Sequence, residues 1–332
     1  MLRRLFLPRY VERGGTQDIL GPFELENVSL NAFAFRADMR ALCELVDRQL
    51  GRVIRRAAVR HPLTQGLCGT HVVPIAPFVF LVVAQTERIQ IGERGWMPEI
   101  DVAFWVPVLL FERVGPVLVP CRLAFYQPYL FVDSGQAMAT GRETYGYHKM
   151  LGTFVLPADP SHVETVAVDT IAFETWGPHV EGVSQRLFTL RETSGAAGPA
   201  SEHADPRDFA EAVLGELTGG VGTGAVAALR RVLGLASRLD LVKVSQVFLK
   251  QVRDIEDPRR AAYQAVCETR APLRRFHRGG LLSGNFELEL RDLVSHPIRR
   301  ELGLSDGTLT PCLQLWASID FDLRNGKVLA EV

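Results

Sequence analysis

Lysine is nearly missing from this 332-residue chain: Lys149, Lys243, Lys250 and Lys327 are the only four, against 33 arginines. Surface positive charge is therefore arginine's task. Each remaining lysine becomes a candidate for work that needs an amine able to lose its proton, which a guanidinium cannot supply. Net charge is also scarce. A formal charge of -1 gives no electrostatic basis for nucleic acid or an anionic membrane as a partner. The five cysteines (Cys43, Cys68, Cys121, Cys267, Cys312) are odd in number and lack CxxC spacing. They argue against a disulfide framework and a zinc site, and for a reducing cytoplasm. No segment approaches the roughly 20 apolar residues of a membrane helix, and MLRRLFLPRYVERGG lacks an apolar run of signal-peptide length. The expectation is a soluble, cytoplasmic protein.

What is present is β-forming sequence. Between residues 20 and 190, short β-branched or aromatic runs (SLNAFAFRAD, PFVFLVVAQT, DVAFWVPVLLF, RLAFYQPYLFVD, GTFVLP, ETVAVDTIAF) alternate with turn signals, which predicts a large antiparallel sheet or barrel. RADMRALCELVDRQL interrupts them with helical spacing of Met39, Leu42, Val46 and Leu50 behind Asp38. Residues 192–240 read as a loop followed by a helical insertion. Their GGVGTG lacks the P-loop lysine and a preceding strand, so it reads as a helix–helix connection. Strand-like segments return in KVSQVFLKQV, YQAVCET, NFELELRDL and LQLWASIDFDL. The fold class is α+β, mainly antiparallel β, in a single domain over 1–332 with the insertion inside it.

Lys149 stands in GRETYGYHKMLG, between strand-like FVDSGQAMAT and GTFVLP, with no acid within five residues on either side. An amine desolvated by such neighbours has a lowered pKa and can attack a carbonyl; the alternative is a lysine whose stem packs on aromatics while its head reaches water. Glu99 and Asp101 share one face of an extended strand, so either could shuttle protons or form a strand-edge salt bridge. Arg36 could grip a carboxylate or join a structural ion pair. Tyr145 and Tyr147 could line a pocket or fill core, and Tyr263 could contribute to its wall. Arg142 and Glu143 read as a pair holding the lysine loop. His148 faces away from Lys149 in an extended segment, and His277 and His296 read as loop histidines with no metal site.

The segment GRETYGYHKMLG resembles the signature of the acetoacetate decarboxylase family, which runs Gly-Arg-Glu, an aromatic, Pro, then Lys-Lys-Leu-Gly. GPFELENVSLNAFAFRADMRAL and DVAFWVPV resemble its N-terminal strand and helix and its acid-bearing strand. The resemblance implies a barrel or double-cone sheet with peripheral helices, and a Schiff-base lysine at Lys149. It also implies an active-site arginine at Arg36, an active-site acid at Asp101 or Glu99, no cofactor, and assembly into a homo-oligomer. Met150 stands where the family has its second lysine, and His148 where it has proline. The implied activity is a Schiff-base lyase acting on a small β-keto or α-keto acid, by decarboxylation or by aldol and dehydration chemistry. The alternatives are a non-catalytic ligand-binding barrel and a tailoring enzyme of secondary metabolism.

Overall fold

The structure, a computed structural model, describes residues 8–11, 19–60, 69–219 and 243–332. Its strands are β1 (Phe23–Arg36), β2 (Thr70–Pro74), β3 (Phe78–Gln90), β4 (Trp96–Val114), β5 (Val117–Val132), β6 (Lys149–Leu151), β7 (Thr153–Val155), β8 (Thr165–Ala172), β9 (Val183–Glu192), β10 (Gly198–Pro199), β11 (Lys243–Arg253), β12 (Ala261–Ser283), β13 (Phe286–Leu290), β14 (Leu313–Leu323) and β15 (Lys327–Glu331). The helices are α1 (Met39–Val46), α2 (Arg52–Arg60), α3 (Gly135–Thr140), α4 (Pro206–Gly219) and α5 (Ile298–Leu302).

Seven strands close on themselves in the order β4-β3-β1-β14-β12-β11-β5, with β5 pairing back to β4. Every contact in this ring is antiparallel except the short parallel one between β5 and β11, which runs from Ala124↔Ser245 to Tyr126↔Val247. Past that point β5 parts from β11. The short strand β6 fills the gap, running parallel to β5 with Leu130 opposite Lys149. A second, antiparallel sheet in the order β13-β9-β8-β7 packs on the outside. Phe188 meets Phe104, and Phe286 meets Phe33, at ring-centroid distances of 5.7 and 5.1 Å.

The two-residue period of a strand explains how one sequence serves both faces. In β4, Val102, Phe104, Val106, Val108 and Leu110 are fully buried against the outer layer. The alternate residues Met97, Glu99, Asp101, Ala103 and Trp105 face the barrel interior. Strands buried on both sides read as near-continuous apolar runs, which is why DVAFWVPVLLF carries little polar alternation.

The mainly antiparallel barrel agrees with the sequence reading. So does the helix behind Asp38, whose carboxylate accepts a hydrogen bond from Ala41 N at 2.8 Å while Leu42, Val46 and Leu50 are buried. FVDSGQAMAT is a correction. β5 ends at Val132, and Ser134 caps α3 by accepting from Ala137 N at 3.1 Å, so a side-chain oxygen at the cap overrode the strand-like composition. Of the expected insertion, β10 and α4 are described, and α4 packs on β12 and β14 with Phe209 against Phe276. Residues 220–242, holding most of the glycine-rich connection and the second helical pattern, lie outside the described residues.

Candidate active site

Inside the barrel lies a cavity of about 210 Å³, bounded by the inward residues of the ring strands and by α3, the wide helical turn Gly141–Tyr145 and β6. Lys149 enters it from β6. Its Nζ donates a short hydrogen bond to Glu99 Oε1 and lies 3.2 Å from Asp101 Oδ1. The amine is also 5.9 Å from the centroid of the Tyr147 ring. Lys149 and Glu99 are 8% and 9% exposed, so this charge cluster is held largely out of water.

Local sequence explains how the amine arrives there. At Gly141 a Cβ would sit 2.5 Å from Lys149 Cδ, so the absence of a side chain makes the channel for the lysine stem. Gly146 ends the turn at φ +93°, where a Cβ would come 2.5 Å from Lys250 Cα; only glycine combines that dihedral with that approach. Arg142 donates to the Lys149 carbonyl at 3.2 Å, and Lys250 Nζ donates to the Thr144 carbonyl at 3.0 Å, tying the turn to β6 and β11. Glu143 accepts from Tyr10 Oη at 2.6 Å. Arg142 and Glu143 thus hold the lysine loop, though each through a different partner.

The electrostatics depart from the sequence reading, which expected a desolvated amine with a lowered pKa. Burial does pull the amine down, but the charges and hydrogen bonds of Asp101 and Glu99 outweigh it and hold Lys149 above the usual lysine range. Glu99 is shifted upward as well. Burial and the neighbouring Asp101 charge push it up to about 7 against the pull of Lys149. The acids come from β4, about fifty residues away in the chain, so the acid-free neighbourhood of Lys149 concealed them.

Tyr145 and Tyr147 are both buried and both line the cavity. Tyr147 Oη donates to Gln246 Oε1 in a short hydrogen bond, and burial raises its phenol well above the usual value. Tyr145 is pushed by burial to about 12, and its hydroxyl has no hydrogen-bond partner among the described residues. Gln127, Thr140 and Gln246 supply the remaining polar lining. Gln246 could have been found in the sequence, as the polar residue on the otherwise apolar Val244/Gln246/Phe248 face of KVSQVFLKQV.

Arg36 is not brought to this site. It ends β1 on the exposed surface, opposite Phe78, while β1 lines the cavity near its other end through Phe23, Leu25 and Leu30. Tyr263 lies in β12 opposite Val252 and is not part of the cavity lining. His148 is exposed, and Met150 packs into the core between barrel and outer sheet, so neither puts a cation beside the amine.

No family model matches the chain, and no curated protein matches it by sequence. Solved structures do match it by fold. An acetoacetate decarboxylase superposes with a TM-score of 0.55 at 15% identity, over 95% of this chain and 92% of that one. The acetoacetate decarboxylase of Legionella pneumophila gives 0.54 at 14%, over 98% and 92%. The enduracididine biosynthesis enzyme MppR gives 0.52 at 11%, over 95% and 90%. The chain has the acetoacetate decarboxylase-like fold, and the three solved structures named here are those of enzymes.

Proposed function

We propose that the protein is a cofactor-free Schiff-base lyase in which Lys149 forms an imine with a small β-keto or α-keto acid. The observation that carries this reading is the buried contact of the Lys149 amine with two carboxylates at the wall of an otherwise apolar cavity. A protonated amine has no lone pair, so the first requirement is a nearby proton acceptor. Glu99, raised to about 7, is the hydrogen-bonded carboxylate in place to accept that proton, in a transfer that is uphill because the site holds the amine above the usual lysine range.

The steps balance as follows. Glu99 takes a proton from Lys149, and the free amine adds to the substrate carbonyl. The carbinolamine hydroxyl leaves as water with the proton returned by Glu99, giving an iminium ion opposite the Asp101 carboxylate. With a β-keto acid, the electrons of the bond to the carboxylate flow to the iminium nitrogen, releasing carbon dioxide and a neutral enamine. Proton return to carbon and addition of water then free the ketone and the lysine. With an α-keto acid, loss of a proton from the carbon next to the imine gives the corresponding enamine, which can add to an aldehyde. MppR is described in complex with the condensation product of pyruvate and imidazole 4-carboxaldehyde, which supports keeping this second branch.

Sodium borohydride reduction in the presence of acetoacetate or pyruvate, followed by peptide mass mapping, tests the proposal. The expected result is a stable adduct on Lys149, lost in Lys149→Arg. No adduct with any keto acid would falsify it.

A further inference from the structure

Two side chains in the cavity wall take no part in the proton transfers at Lys149. Gln246 lines the cavity from β11 and Gln127 from the neighbouring strand β5, on which Phe125 lies opposite Gln246. Both are more than nine-tenths buried, at 8% and 7% exposure. A buried amide brings two N–H donors and a carbonyl acceptor, and leaving them without partners is costly. Neither amide is fully used by the protein. Among the described residues, Gln246 makes one side-chain hydrogen bond, to Tyr147, and Gln127 makes none. Their remaining polar atoms are not sealed into the wall as the Tyr145 hydroxyl is, and they face the cavity.

Tyr147 sets which end of Gln246 is offered. Burial raises its phenol well above the usual value, so the group keeps its proton and acts as a donor. It donates to Gln246 Oε1, which leaves both N–H groups of that amide for another acceptor. The Tyr147 ring also lies 5.9 Å from the Lys149 amine, so this donor is built beside the reacting nitrogen.

The reaction indicates the acceptor. The ketone oxygen of a keto acid leaves as water when the imine forms, so the carboxylate is the oxygen-bearing group that remains for the step that follows. It enters a cavity that already holds the Glu99 and Asp101 acids. Hydrogen bonds to an ionised oxygen are about twice as strong as those between neutral groups, so two free amides are suited to receive it.

We infer that Gln246 and Gln127 form the subsite that binds the carboxylate of the keto acid, with Tyr147 the positioning residue that turns the Gln246 amide toward it. This rests on the Schiff-base reading and adds to it the residues that recognise the acid. A few polar groups aimed from an apolar wall fix a ligand's orientation, and these two hold the carboxyl at a set angle to the imine.

The test is the concentration dependence of borohydride trapping on Lys149 with compounds alike in shape but unlike in charge: pyruvate with butanone, and acetoacetate with 2-pentanone. The parent protein should half-saturate with each acid at a lower concentration than with its neutral counterpart. In Gln246→Met and Gln127→Met the ratio of acid to ketone concentrations should rise roughly tenfold, the loss of a hydrogen bond to a charged group. The isosteric Gln246→Glu, which keeps the side chain's shape and adds a repelling charge, should raise it further. Tyr147→Phe keeps the ring beside the amine and removes the donor, and should raise the ratio by a smaller factor. An equal loss for acids and ketones assigns the glutamines a structural role and overturns the inference, as does an unchanged preference for the acids; the Schiff-base reading stands in both cases. Absence of an adduct with all four compounds in the parent protein overturns that reading, and this inference with it.

Discussion

At the scale of single residues, the site depends as much on a missing side chain as on those present. Lys149 reaches the acids only because nothing projects from Gly141, where a Cβ would meet the lysine stem at 2.5 Å and 2.8 Å. Those contacts are with flexible methylenes, so Gly141→Ala should fold and displace the stem rather than unfold the turn. Displacement of a reacting atom by about 1 Å costs on the order of 100-fold. Gly141→Ala should accordingly lower the rate of imine trapping by 10- to 100-fold with little change in thermal midpoint, checked by trapping kinetics alongside a thermal melt. The glycine stands within the GRE segment of the sequence, but its purpose was not legible there, because the side chain it makes way for lies eight residues further on and returns to it only after the turn.

Among the elements, the turn from Gly141 to Gly146 and the short strand β6 decide the geometry. A left-handed dihedral at Gly146 and its contact with the backbone of Lys250 let the chain reverse against β11 and then enter the gap beside β5. Gly146→Ala would combine a strained dihedral with a backbone clash, for which a cost of about 1–3 kcal/mol or more is expected. Urea unfolding should register this as a lowered midpoint, in contrast to Gly141→Ala. Most elements were legible from alternation and turn residues, β4 and β14 especially. α3 was not, since QAMAT after a strand gives no helical period long enough to recognise. The pairing of β5 with β11 was not legible either: parallel contacts between segments more than a hundred residues apart leave no local pattern.

For the molecule as a whole, closure of the barrel determines which residues share a site. Glu99 and Asp101 could be placed on one face by counting, but their meeting with Lys149 required β5 to lie between β4 and β6, which no local spacing encodes. Arg36 was brought into the expected site by the family resemblance and by no local spacing. It lies six residues beyond Leu30, about 20 Å along an extended strand and outside the cavity. Arg36→Ala should therefore leave Lys149 trapping within about twofold of the parent protein, since the charges that shift Lys149 and Glu99 are those of each other and of Asp101; a loss comparable to that of Lys149→Arg would contradict the placement.

The barrel's consequence for chemistry is a proton shared between a raised carboxyl and a raised amine, and the account's central claim is that Glu99 takes that proton before the amine reacts. Below its value of about 7 Glu99 already carries a proton and cannot accept another; above it the carboxylate is free to accept from Lys149. The most direct measurement is the pH dependence of the trapping rate at Lys149 from pH 5 to pH 9 in the parent protein and in Glu99→Gln. The expected result is a rate that rises with pH through a midpoint near 7 in the parent protein, and a slower rate without that midpoint in Glu99→Gln. An unchanged profile and rate in Glu99→Gln would contradict the account.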